Sequence, residues 1–146
     1  MTRRTKATTT PRGRWLKDSR TKITRPYGVP GPYAAGFHTG VDLAVPGAGR
    51  IPVVWALRRP GRVVSVNQCG RSYGTHVVIR SAGGRAYLFA HLSDLRVVVG
   101  DLVDNGHLIG LTGATGNVTG DHLHLERAQG PIWRYGSVSR PPVFRY

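Results

Sequence analysis

The stretch Gly120-Asp121-His122-Leu123-His124-Leu125-Glu126 constrains the chain most, because polar and apolar residues alternate in it with a period of two. A β-strand has that period and a helix does not, so His122, His124 and Glu126 share one face while Leu123 and Leu125 take the other. The leucines require a core beneath the strand. The two imidazoles stand about 6–7 Å apart on the opposite face, and one of them can ligate a transition metal through a bond of about 2 Å while the other sits beside the metal's water.

The same alternation in Arg85-Ala86-Tyr87-Leu88-Phe89-Ala90-His91 predicts Tyr87, Phe89 and His91 on one face and Ala86, Leu88 and Ala90 on the other. Further β-type runs lie at Pro52 to Leu57, Gly61 to Asn67, Thr75 to Arg80 and Leu108 to Thr112, and turn residues separate them. With 20 Gly, 10 Pro and no long apolar stretch of helical period, the chain reads as an all-β or nearly all-β protein. Its 146 residues suffice for one domain with a real core.

That domain is expected over residues 26–130, between two tails. Residues 1–25 carry Arg3, Arg4, Lys6, Arg12, Arg14, Lys17, Arg20, Lys22 and Arg25 against Asp18 alone, a composition that predicts a disordered basic segment with Trp15-Leu16 docking locally. Residues 131–146 mix aromatics with arginines, and the aromatics are expected to pin that tail to the body. The Pro- and Gly-rich stretch from Pro26 to Ala35 predicts a fixed loop, and Gly113 to Gly120 a flexible loop entering the His122 strand. The chain has 21 Lys and Arg against 7 Asp and Glu, which draws it to polyanions such as nucleic acid, anionic membrane or a phosphate-rich cell wall. No apolar run reaches the roughly 18 residues of a membrane span. The basic N-terminus lacks the apolar core of a secretory signal.

A second cluster answers the His122 strand. In Phe37-His38-Thr39-Gly40-Val41-Asp42 a histidine and a carboxylate lie four apart, and Asp42 is the only acid between Ser19 and Ser93. Two histidine nitrogens, one carboxylate oxygen and a fourth position open to water make the pattern of a catalytic zinc site. His91 ends a strand and joins the candidates. His76, inside an apolar run, and His107, in a turn, read as structural or surface residues. Cys69, the single cysteine, permits no internal disulfide and looks like a strand-end residue rather than a catalytic thiol. The turn rhythm of Val99 to Gly110 also occurs in lipoyl-type carrier domains, but no lysine follows Lys22.

Taken together, the chain resembles the lysostaphin-type (LytM-like) zinc endopeptidases that cut peptidoglycan. The resemblance covers roughly residues 23–130 and rests on His38-Thr39-Gly40-Val41-Asp42, Ile51-Pro52-Val53-Val54-Trp55-Ala56, Gly61-Arg62-Val63, Tyr73-Gly74-Thr75-His76-Val77-Val78-Ile79, Ala90-His91-Leu92-Ser93, Gly113-Ala114-Thr115-Gly116 and Thr119-Gly120-Asp121-His122-Leu123-His124-Leu125-Glu126. It implies a curved antiparallel sheet with a metal-containing groove, one zinc ion held by His38, Asp42 and His124, and His91 and His122 as the catalytic pair. Glu126 is expected behind the metal and Tyr73 at the oxyanion or behind the metal. Leu125, Trp55 and His107 depart from the family pattern, which would alter groove shape and substrate preference.

The resulting expectation is a monomeric zinc endopeptidase acting on the peptide part of peptidoglycan, with basic tails that hold anionic wall polymers. The lack of a signal and the small size suggest a phage-type lysin, made in the cytoplasm of an infected host and acting at the wall after release. Two other classes compete: a wall-binding or virion-assembly module of the same fold without catalysis, and a basic nucleic-acid-binding protein. No recognised nucleic-acid motif supports the latter.

Overall fold

Runs rich in Val, Ile, Leu, Tyr and Phe pair their backbones across the whole chain. In the computed structural model, which describes residues 9–116 and 120–145, ten strands join one antiparallel sheet. They are β1 (Lys22–Arg25), β2 (Val41–Ala44), β3 (Pro52–Val54), β4 (Gly61–Val66), β5 (Thr75–Ser81), β6 (Ala86–Leu95), β7 (Leu102–Val103), β8 (Leu108–Thr112), β9 (Leu123–Ala128) and β10 (Val138–Ser139). The principal order is β1-β2-β9-β6-β5-β4-β7, with β10 beside β9, and β8 bridging β3 and β6. Among the described residues there is no α-helix, only a 3-10 turn at Arg71–Tyr73, and no helix long and apolar enough to cross a membrane. The nearly all-β expectation holds.

The alternation divides apolar residues between the two sheet faces. One face packs the main core, in which Trp15, Leu16, Leu43, Trp55, Phe89, Leu123 and Leu125 are fully buried. Each fully buried leucine or phenylalanine there contributes about 1.5–3 kcal/mol. The other face carries a smaller cluster of Val78, Ala86, Leu88, Ala90 and Ala128. Trp55 and Leu125 both lie in the main core, so these two departures from the family pattern adjust packing beneath the sheet, and neither is among the residues lining the groove.

β6 changes both partner and phase midway. Tyr87 to Ala90 pair with β9, whereas Leu92 to Leu95 pair with β8. Between them His91 takes a left-handed backbone with φ 62, rare for a residue other than glycine. Tyr87 and Phe89 point into the main core, and so does Leu92 rather than a residue at position 91. This corrects the simple alternation, which put His91 on the Tyr87 and Phe89 face. One residue out of phase turns the imidazole to the opposite side, as bulges characteristically re-aim a side chain.

The basic N-terminal segment is ordered earlier than its composition suggests. Residues 1–8 lie outside the description, but Trp15 and Leu16 are wholly buried and Trp15 Nε1 donates to the Pro142 carbonyl at 2.8 Å. β1, within the expected disordered tail, pairs with β2. Two large apolar side chains that find a core outweigh the surrounding charge, a local fact that average composition conceals. At the other end, β10 pairs with β9 and Trp133 Nε1 donates to Glu126 Oε1 at 2.8 Å.

Candidate metal centre

Three neighbouring strands assemble the site. Register opposes Asp42 on β2 to His124 on β9, and His124 in turn to Ala90 on β6, which sets His91 one residue away. Gly40 permits the close approach of the first motif to the second: a Cβ there would lie 2.4 Å from the Leu125 carbonyl oxygen and 2.8 Å from the His124 ring. No side chain fits that gap. The groove above has a volume of about 310 Å³, and its lining includes Arg25, Tyr33, His38, Thr39, Asp42, Tyr73, His91, His122 and His124.

His38, Asp42 and His124 each offer one ligand atom, and these atoms lie within 4.8 Å of one another. His38 Nδ1 lies 3.0 Å from the Pro26 carbonyl, which can only accept, so Nδ1 carries a proton and Nε2 is the nitrogen left for a metal. His38 Nε2 approaches Asp42 Oδ1 at 3.3 Å, and His124 Nδ1 approaches the same oxygen at 2.9 Å. Two imidazole nitrogens thus converge on one carboxylate oxygen. This donor set of two imidazoles and one carboxylate fits zinc.

The carboxylates behind these ligands set their charge. Burial pushes the Asp42 carboxyl up, yet hydrogen bonds from His124 and His38 outweigh it and hold the group below the usual carboxylate range. Burial depresses His124, but its hydrogen bonds to Asp42 and Glu126 prevail and raise it to about 9. Without a metal, His124 is therefore an imidazolium between two carboxylates. Glu126 is 0% exposed. Its Oε2 accepts from Thr39 Oγ1 at 2.7 Å, Tyr73 OH at 2.7 Å and His124 Nε2 at 2.9 Å. Burial raises the Glu126 carboxyl while the bonds from His124, Thr39 and Tyr73 lower it further than burial lifts it. A carboxylate on the far nitrogen of a ligating histidine fixes its tautomer and ring plane.

His91 and His122 stand beside this cluster with ring centroids 5.0 Å apart. His91 Nδ1 is 2.8 Å from the Thr115 carbonyl and His122 Nδ1 is 2.9 Å from the Gly120 carbonyl, so Nδ1 of each donates and Nε2 is the nitrogen left facing the site. Residues 117–119 of the expected flexible loop between those two anchors lie outside the description. Burial lowers His91 to about 4, against a smaller upward pull from the Thr115 carbonyl, and the ring is neutral near pH 7.

Tyr73 is differently placed from the oxyanion reading. Its hydroxyl donates to Glu126, and burial together with that carboxylate pushes its pKa up. It therefore braces Glu126. The tyrosine missed by sequence reasoning is Tyr33, which lines the groove with its ring 5.4 Å from that of His38 and its hydroxyl bonded to Arg25. Tyr33 lies five residues before His38 in a Pro-Gly loop that carries no periodic signal to mark it. Burial raises the Cys69 thiol to about 11, with the Glu126 charge adding to it, and His76 Nε2 accepts from the Cys69 backbone N–H at 2.9 Å. Both are structural groups.

With this geometry in place, comparison defines the class. The chain matches Peptidase family M23 over residues 36–133 and belongs to that family. It is 35% identical over 109 residues to the DD-carboxypeptidase/endopeptidase Mpg of Neisseria meningitidis, covering 73% of this chain and 24% of that protein. Among solved structures it resembles a mutant form of the catalytic domain of the prophage-encoded M23 protein EnpA from Enterococcus faecalis, at TM-score 0.66 and 33% identity over 90% of this chain and 94% of that one. It also resembles a zinc-containing peptidase from Vibrio cholerae, at TM-score 0.66 and 30% identity over 82% of this chain and 37% of that one. The chain spans about a fifth to a quarter of the length of the curated relatives it matches. M23 peptidases are zinc enzymes, and the His38, Asp42 and His124 cluster could hold such an ion.

Proposed function

We propose that the chain is a zinc endopeptidase that hydrolyses peptide bonds of bacterial peptidoglycan. The observation that carries this reading is the convergence of His38 Nε2, Asp42 Oδ1 and His124 Nδ1 within 4.8 Å, beside two histidines whose Nε2 atoms are free to exchange protons. Zinc bound by that trio supplies Lewis acidity, bringing the pKa of water towards about 7 and polarising a scissile carbonyl.

The protein's own groups do the rest. Asp42 and Glu126 hold the His124 ring from both nitrogens and direct Nδ1 at the metal position. His91 and His122, each fixed through Nδ1 to a backbone carbonyl, accept the proton of the attacking water and return it to the departing amine through Nε2. Neither ring needs to turn between the two steps. Tyr33 and Arg25 border the groove and supply hydrogen-bond donors where a peptide carbonyl would lie. The net charge of +14 supports an attraction to anionic wall polymers that weakens with salt. Likeness to Endolysin 2638A of a Staphylococcus phage, and to prophage-encoded EnpA, supports a lysin that acts at the wall.

The test measures zinc content and release of amino groups from purified peptidoglycan in the wild type and in His124→Ala and His122→Ala. Stoichiometric zinc that is lost with His124→Ala and kept with His122→Ala, with cleavage abolished in both, is expected. A wild type that binds no zinc and cleaves no wall chemotype would overturn the proposal.

A further inference from the structure

A second cavity lies on the sheet face away from the metal centre. It measures about 370 Å³, within the size range of small-molecule pockets, and is lined by Arg12, Arg58, Arg59, Arg85 and Arg127 around Leu57, Ser81 and Tyr87. Arg127 follows Leu123 and Leu125 in the alternation of β9, opposite to His124 and Glu126. Tyr87 lines the cavity too, its ring packed 5.5 Å from Trp15 and 5.7 Å from Trp55 in the main core.

The backbones that carry these arginines are fixed. Trp55 Nε1 donates to the Arg59 carbonyl at 2.8 Å, the Gly13 N–H beside Arg12 donates to the Ala56 carbonyl at 2.8 Å, and the Ser81 N–H donates to the Arg85 carbonyl at 2.8 Å. Arg85 and Arg127 converge on one atom, donating to Ser139 Oγ at 3.2 and 3.0 Å. No carboxylate lines the cavity, and among the described residues none of its arginines is paired with one. Arg12, Arg58, Arg59 and Arg85 are exposed and Arg127 half-buried, so their charges repel only weakly through solvent and together attract an anion to the space. Tyr87 lines the cavity, and its hydroxyl makes no hydrogen bond to another described residue, which leaves it available to a bound anion.

We propose that this cavity binds a phosphate group, whether free in a small phosphorylated molecule or carried by a phosphodiester polymer. Guanidinium groups pair with phosphate oxygens in two-pronged fashion, and a phosphate has more acceptor oxygens than a carboxylate to satisfy several arginines and the Tyr87 hydroxyl at once. The site is separate from the metal centre and stands whether or not that centre cleaves peptidoglycan.

Calorimetric titration of the full chain with inorganic phosphate, tripolyphosphate and acetate tests it. One phosphate or tripolyphosphate per chain is expected to bind in preference to acetate. The double variant Arg58→Gln/Arg59→Gln should weaken that binding about ten-fold or more, and Tyr87→Phe, which keeps the ring and the net charge, about three-fold. Arg50→Gln/Arg134→Gln removes the same charge from exposed positions outside the cavity and should change it less than about two-fold. Equal binding by wild type and cavity variants, equal loss in the outside pair, or acetate binding as tightly as phosphate would overturn the proposal. A poly(glycerol phosphate) chain that displaces tripolyphosphate assigns the site to polymer phosphates. Displacement by inorganic phosphate but not by the polymer assigns it to small phosphorylated ligands.

Discussion

Replacing Glu126 with glutamine changes one buried atom and separates the structural from the metal-positioning role of the carboxylate. Its two oxygens accept four hydrogen bonds, from Thr39, Tyr73, His124 and Trp133. A glutamine has one carbonyl oxygen and one amide nitrogen, so whichever way it turns at least one buried donor faces another donor. The unsatisfied donor costs about 1–3 kcal/mol, and loss of charge from the His124 bond adds about 1.5–3 kcal/mol. A destabilisation of about 2.5–6 kcal/mol follows, equivalent to a drop in Tm on the order of 5–25 °C. Zinc affinity should fall about 10–100-fold, since the ring of His124 loses its orienting partner. Scanning calorimetry and chelator competition read the two quantities separately. Unchanged zinc affinity in a folded Glu126→Gln protein would refute the claim that this carboxylate orients the ligand, whatever the change in stability.

Three further outcomes follow from the same geometry. Gly40→Ala places a methyl 2.4 Å from the Leu125 carbonyl oxygen and against the His124 ring, so it should abolish stoichiometric zinc binding and cleavage, measured by metal analysis and amino-group release. Trp15→Ala empties a fully buried site and should destabilise the protein by about 3–5 kcal/mol in denaturant titration, whereas a disordered N-terminal segment would register nothing. In the chelator-treated protein, His124 is raised from its ordinary 6.5 to about 9, so its contribution to stability is complete below 6.5 and is lost as pH rises through 9. Thermal unfolding of that metal-free form should therefore show a falling Tm over this interval, and a flat profile would contradict the assigned contacts.

Much of the site was legible because it is written in short-range pattern. The alternation around His122 and His124 gave the strand, its faces and the shared side of Glu126, and the four-residue spacing of His38 and Asp42 marked the second half of the candidate set. What escaped depends on distant partners. β2 carries Asp42 but is four residues long and set among turns, so its pairing with β9 supplies the strand identity that its sequence lacks. Trp15 was expected to dock only locally, within a charged tail, because its partners, Trp55, Tyr87 and Phe89, lie far along the chain. Tyr73 had the right neighbourhood for an oxyanion donor, yet only the structure shows its hydroxyl already committed to Glu126.

The phase slip at His91 places stability and chemistry in opposition at a single residue. A non-glycine residue with φ 62 carries a backbone penalty of about 1–2 kcal/mol, which glycine would not incur. His91→Gly relieves that penalty while losing the Thr115 hydrogen bond and a buried ring, so it should leave a folded protein devoid of cleavage. Backbone comfort alone would favour glycine at this position, whereas the proposed proton-transfer role of the imidazole requires the strained conformation to be kept. On one edge the two halves of β6 pair with β9 and with β8, while β5 on the other edge pairs with both halves and carries the sheet across the slip.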